Sequence, residues 1–274
     1  MGQETNISWC HHTANFWWGC LKVSPGCSSC YAETFSSRMG KHIWGPVSTT
    51  DREYKKGVWS ELLKWDKQSG IDGVRRRVFV QSMSDFLEDH PQVTEWRNRA
   101  IGLLENLQHL DVLLLTKRPE NAPKFLQSWY GNWPTHIWMG VSVENQEYAD
   151  RRIPLLVDIP AKVRFLSCEP LLGKVVLPVI ESYVFPDGFE NNGPIMPHGI
   201  GVYDNPDDFI HWVIVGGESG NGYRPMQVEW PQSLHDQCKQ SGVAFFMKQD
   251  SGLRSGMRGR LSDELWNCKE FPDA

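Results

Sequence analysis

The chain has 274 residues, enough for two average domains or one barrel-sized α/β domain, and either can bury a substantial core. Its 28 Lys and Arg stand against 33 Asp and Glu, a formal charge of −5, which excludes a global positive field able to hold nucleic acid non-specifically, so any polyanion contact must be local. The opening stretch MGQETNISWCHHTANFWWGC lacks a basic start followed by an apolar run, and no later segment approaches about 18 unbroken apolar residues, so the expectation is a soluble, cytosolic protein with no membrane partner.

In chain order, the first feature is a cluster of thiols. Cys20, Cys27 and Cys30 fall within WWGCLKVSPGCSSCYAE (17–33), while Cys10, Cys168, Cys238 and Cys268 are scattered. An odd total of seven, with one tight trio, is unlike a secreted disulfide framework. The spacing is C-x6-C-x2-C. A structural zinc takes four protein ligands and a catalytic zinc three with one position open. An iron–sulfur cube on three cysteines likewise leaves one iron free, whereas the usual electron carriers use four. Three close thiols without a matching partner pair therefore point to an open metal site. A zinc completed by Cys10, His11 or His12 is the competing reading.

Residues 41–75 are long and irregular, with a turn at WGP and a helix near SELLKWDKQ (60–68). Six continuously apolar runs follow: RVFVQSMSD (77–85), DVLLLTKRP (111–119), HIWMGVSVEN (136–145), KVRFLSCEP (162–170), HWVIVGGESG (211–220) and VAFFMKQD (243–250). Runs that do not alternate suit parallel strands buried on both faces. Helix-compatible segments separate them at 94–108, 119–130, 145–159 (broken near Pro154) and 230–242. Strand–helix repetition argues for right-handed βαβ units. The expected fold is α/β, a partial or full parallel barrel of about six to seven strands in one domain. Residues 174–210, rich in Pro, Gly and Asn, read as an insertion or lid. Most of the 13 tryptophans are expected to pack in the core.

Each apolar run ends in polar groups at its carboxyl side: Ser82, Ser84 and Asp85; Thr116, Lys117 and Arg118; Ser142, Glu144 and Asn145; Ser167, Cys168 and Glu169; Glu218 and Ser219; Lys248 and Gln249. In a parallel barrel these ends share the rim where chemistry is done. Helix N-capping is the plain alternative for the Ser, Asp and Asn positions. Lys117 and Arg118 close a wholly apolar strand, so each should meet a carboxylate or an anionic ligand, with an ion pair to Glu144 or Glu169 as the dull case.

The segments NFWWGCLKVSPGCSSCYAE, VFVQSMSDFLED, LLLTKRPEN, MGVSVENQ, RFLSCEPLLG, VIVGGESG and FFMKQ together resemble the radical S-adenosylmethionine (SAM) superfamily, and more closely an uncharacterised phage-associated branch with a three-cysteine motif. The resemblance implies a TIM-like barrel in which Cys20, Cys27 and Cys30 hold a 4Fe–4S cluster whose fourth iron is chelated by SAM. The spacing departs from the commonest C-x3-C-x2-C, and Tyr31 follows the last cysteine where many members place an aromatic before it.

The same resemblance implies reductive cleavage of SAM to a 5′-deoxyadenosyl radical, with an electron donor such as flavodoxin or ferredoxin. Ser82, Ser84 and Asp85 then stand where the SAM amino group is met, and Ser142, Glu144 and Asn145 face the ribose. Glu169 and Glu218 are further cofactor-binding candidates, the glycines of GGESG allowing close approach to adenine or substrate. Cys168 is a candidate hydrogen donor, and Lys117 a candidate catalytic group. Phage association suggests a nucleic-acid base, nucleotide or related metabolite as substrate. The basic runs RRR (75–77) and LRSGMRGR (253–260) offer local support. A zinc-binding nucleic-acid module without catalysis and a zinc-dependent hydrolase are the alternatives.

Overall fold

The computed structural model describes residues 5–177, 183–184, 190–191 and 210–273. The fold is α/β. Its strands are β1 (His12–Ala14), β2 (Trp17–Trp18), β3 (Glu53–Tyr54), β4 (Arg76–Val80), β5 (Leu110–Thr116), β6 (Ile137–Ser142), β7 (Arg164–Cys168), β8 (Tyr183–Val184), β9 (Glu190–Asn191), β10 (Trp212–Gly216) and β11 (Ala244–Gln249). Seven of them form a sheet in the order β1-β4-β5-β6-β7-β10-β11. The pairs β1–β4, β4–β5, β7–β10 and β10–β11 are parallel. The order is open at β1 and β11, so the architecture is the partial form of the expected parallel barrel. All six expected strands are present. The seventh, β1, has only three residues, too few to show any periodicity in sequence.

The helices are α1 (Tyr31–Arg38), α2 (Val58–Asp72), α3 (Thr94–Leu104), α4 (Ala122–Phe125), α5 (Gln146–Val157), α6 (Glu229–Ser241) and α7 (Asp263–Asn267). Two differ from expectation. The segment 119–130 is not one helix: the single turn α4 lies between 3-10 turns at Pro119–Asn121 and Gln127–Trp129. Pro119 and Pro123 suit helix starts and not interiors. Conversely, α5 runs straight through Pro154. The loss of one hydrogen bond is outweighed there by the buried stripe Tyr148, Ala149, Ile153, Leu156 and Val157.

The chain divides into two compact units, residues 1–140 and 141–274. In the first, α2 packs on β5, and Val78, Val80, Val112 and Leu114 are fully buried. Aromatic rings close both ends of this core: Trp9 lies 4.7 Å from Phe79 and Trp17 5.6 Å from Phe86 between centroids. In the second, α6 packs on β10 and β11, and α7 on β11. Trp212 meets Phe165, Phe246 and Phe271 there. Most of the insertion expected at 174–210 lies outside the described residues. Among the described residues no helix is long and apolar enough to cross a membrane.

Candidate functional site

In the first unit the segment after β4, Gln81-Ser82-Met83-Ser84, is the template on which the approach to the thiol loop is laid. Gln81 Oε1 accepts from Phe16 N at 2.7 Å, and Asn15 Oδ1 accepts from Met83 N at 2.8 Å. Asn15 Nδ2 donates to Ser82 Oγ at 3.1 Å, Ser84 Oγ donates to Trp17 O at 2.9 Å, and Gly19 N donates to Met83 O at 3.0 Å. Gly19 has φ +107°, and a Cβ there would fall 2.4 Å from Ile43 O, so only glycine can make this turn into Cys20. Ser82 and Ser84, expected to face a cofactor, thus serve first as ties between two chain segments.

Leu21, next to the first cysteine, is held from both sides. Its N–H donates to Glu88 Oε1 at 2.8 Å, and its carbonyl accepts from Arg118 Nη2 at 2.6 Å. Glu88 also takes Arg52 Nε and Nη2, each at 2.8 Å, in a pair sealed from solvent. Arg118 donates through Nη1 to Asp85 Oδ2 at 2.8 Å and to Cys20 Sγ at 3.6 Å. Asp85 collects three more donors: Thr116 Oγ1 at 2.7 Å, Lys117 N at 3.0 Å and Leu87 N at 3.0 Å. Burial alone would raise the Asp85 carboxyl, yet the Arg118 guanidinium and these donors outweigh it and hold the group below the usual carboxylate range. Its oxygens are therefore committed to positioning Arg118. Arg118 finds its carboxylate in Asp85, whereas Glu144 and Glu169, the partners considered from sequence, pair with Arg152 and Lys248.

Cys20 and Cys30 sit near Arg118 and Lys117, the residues that follow β5, and Cys27 lies near Cys30. Burial pushes Cys20 up to about 12, while the adjacent Arg118 pulls it back. Cys27 ends a 3-10 turn (Pro25–Cys27), and Cys30 is the residue before α1. Burial raises the Cys30 thiol; nearby Cys27 raises it further and Lys117 opposes this. Tyr31, the first residue of α1, donates its hydroxyl to Ser82 O at 2.8 Å, tying the helix to the end of β4. Among the described residues no three His, Cys, Asp or Glu side chains are gathered closely enough to hold a metal ion. Cys10, His11 and His12 lie at the other end of β1. There His11 Nδ1 accepts from Arg77 N at 2.9 Å and His12 stacks on Trp65 at 4.2 Å.

In the second unit Asn145 caps α5, its side chain accepting from Tyr148 N at 3.2 Å, as the capping alternative anticipates. Arg152 Nη1 donates to Ser142 O and Glu144 Oε2, each at 2.8 Å, with both groups buried. Cys168 is fully buried, its thiol pushed up by burial and then by Glu144, which suits a small packing residue. Glu169 pairs with Lys248, and both side chains keep some exposure, 19 % and 16 %. Glu218 accepts from Arg224 N at 2.8 Å and Nε at 2.9 Å. The second glycine of GGESG has an internal cause: a Cβ at Gly217 would lie 2.2 Å from Ser251 N, so the close approach is to the chain after β11.

Glu88, Arg52 and Asn15 are site-shaping residues that the sequence reading missed, whereas Lys248 was among the rim groups it named. Glu88 carried the one usable signal, a second carboxylate three positions after Asp85 beyond an apolar strand. The family model described as Protein of unknown function (DUF5131) matches residues 4–264. No curated protein and no solved structure matches.

Proposed function

Since the chain belongs to this family, whose function is unknown, we propose from its own residues that it is a radical SAM enzyme. In this reading Cys20, Cys27 and Cys30 hold a 4Fe–4S cluster, and the substrate is a nucleic-acid base, nucleotide or related metabolite. One observation carries it: three thiols lie on one loop close after the first strand of a parallel sheet, with Cys20 beside the buried Arg118 guanidinium from the end of β5 and Cys30 near Lys117. When bound, the cluster would supply the electron that cleaves a SAM carbon–sulfur bond to give the 5′-deoxyadenosyl radical.

The donor set fits such a group in kind. Cys20 and Cys30 are desolvated, so their thiolates need nearby positive charge, and Arg118 and Lys117 supply part of it. In geometry the Cys27–Cys30 turn must close on Cys20, whose own position is fixed through Leu21, Glu88 and Arg118. Asp85 keeps Arg118 aimed at the sulfur, and the ring of Phe86 stacks on Trp17. The electron donor, a flavodoxin or ferredoxin, remains part of the proposal.

Anaerobic reconstitution with iron and sulfide tests it. The wild-type chain should take up about four irons, turn brown and, with dithionite and SAM, release 5′-deoxyadenosine. Cys27→Ala should lose the colour. A colourless protein with one stoichiometric zinc overturns the reading in favour of a zinc protein.

A further inference from the structure

We propose that the exposed face of α1, next to the thiol loop, is a contact surface for single-stranded nucleic acid. Tyr31 and Phe35, at i and i+4, share one face of α1, and Met39 follows at its C-terminal end. They are 57 %, 49 % and 52 % exposed, large values for such side chains, and Val23 and Val47 are exposed in the same stretch of chain. Contiguous exposed apolar surface on a monomer marks a contact site more often than it marks chance.

Charge identifies the occupant. Residues 20–56 hold six Lys and Arg against three Asp and Glu, in a chain whose total is −5; Arg52 is buried on Glu88, Lys22 pairs with Glu33, and Lys41 and Lys55 share the single carboxylate of Glu53. Arg38 and Lys56 are exposed and have no ion-pair partner among the described residues. The aromatic face continues through Phe35, 5.9 Å edge-on to Trp18, whose ring lies under Lys55 at 3.5 Å and Lys41 at 5.3 Å. Flat rings interleaved with cations match a ligand that alternates flat bases with phosphates. A duplex hides its base faces, and an acidic peptide has no rings to stack, so an open strand fits best.

In the two basic runs noted in the sequence most arginines are paired, and Arg254 alone of them is exposed without an ion-pair partner among the described residues. Arg75 and Arg76 pair with Asp111 and Asp72 around the amino end of β4. Arg258 and Arg260 are taken up by Asp263 and Asp250. The surface on α1 begins one residue after Cys30, so a strand lying on it would bring a base to the thiol loop. The inference rests on the nucleic-acid part of the reading above and is independent of the metal.

Fluorescence anisotropy with a labelled oligothymidine of about 15 nucleotides, a matched duplex and polyglutamate decides it on the protein as purified. The single strand should bind best. Phe35→Ala should weaken it by about tenfold, within the range found when a stacking side chain is removed. Arg38→Glu should weaken binding and make the slope of log affinity against log salt shallower by about 0.7, the share of one phosphate neutralised on a single strand. Both residues are exposed, so circular dichroism should show unchanged folding. Equal binding of polyglutamate, unchanged variants, or no binding of the single strand at low salt overturns the proposal. Cys27→Ala separates it from the cluster reading: that variant should lose iron and keep its oligonucleotide affinity.

Discussion

Arg118 Nη1 lies 2.8 Å from Asp85 Oδ2 and 3.6 Å from Cys20 Sγ, so one guanidinium nitrogen joins a buried carboxylate to the first thiol of the trio. The same side chain reaches Leu21 O through Nη2. Removing it strands a buried charge and frees the loop. Arg118→Met should therefore lower stability by on the order of 3 kcal/mol, as for other broken buried pairs. Arg118→Lys should recover part of this without the forked reach to Leu21. Denaturant midpoints of the three proteins check it.

Asp85 gives the network a pH dependence with a defined sign. Its carboxyl is held below the ordinary value in the folded chain, so the unfolded chain binds the proton more readily. The stabilisation is complete above the ordinary aspartate value of about 4 and declines as pH falls below it towards the depressed native value. In Asp85→Asn the amide oxygen can keep Thr116 Oγ1 and Leu87 N on one side, while the NH2 on the other cannot accept from Lys117 N or Arg118 Nη1. That variant should be less stable at neutral pH and show a shallower loss of stability on acidification, measured by thermal melts across the range.

Gly217 is predicted to be irreplaceable for steric reasons. Its Cβ would meet Ser251 N at 2.2 Å and Ser251 Cα at 2.7 Å, both backbone atoms that cannot rotate away. Gly217→Ala should destabilise the second unit by about 1–3 kcal/mol or more. Gly102→Ala, in α3 with nothing within 4 Å of its Cβ, should be neutral or stabilising and serves as the control. Thermal melts of the pair decide.

Thiol reactivity should sort by burial. Cys168 and Cys238 have thiols pushed well up by burial, so a disulfide reagent at mild alkaline pH should leave both unmodified until the chain unfolds. Cys27, partly exposed at its turn, should be modified in the native protein. Mass spectrometry of quenched time points reads out each site.

Much of the fold was legible because buried parallel strands write themselves as unbroken apolar runs, and IWMGVS and WVIVG are buried at every position. The need for a partner at Arg118 was legible too, since a charge ending the apolar strand LDVLLLT cannot stand alone. The identity of that partner was not. Asp85 precedes it by 33 positions and meets it only because β4 and β5 pair. Arg52 was invisible for a related reason: nothing in TTDREY marks a fully buried arginine, whose burial depends on Glu88 arriving from beyond β4. Sequence showed the capping option at Asn145 but could not weigh it against ligand binding, because a cap and a binding group look alike until the first turn of α5 is in place.

The double anchoring of Leu21 explains how the thiol motif tolerates its unusual length. Upstream the path is fixed at Gly19, and downstream Pro25–Cys27 forms its own turn, with Cys30 at the mouth of α1. Between them the short bridge from Lys22 to Ser24 carries local ties, among them Lys22 to Glu33 at 2.6 Å and Ser24 Oγ to Cys27 Sγ at 3.6 Å. Adding residues to such a bridge costs little, because closure entropy grows only with the logarithm of loop length. The gap between the first and second cysteines is thus the adjustable dimension of this loop, and the gap between the second and third is the gauge that must not change.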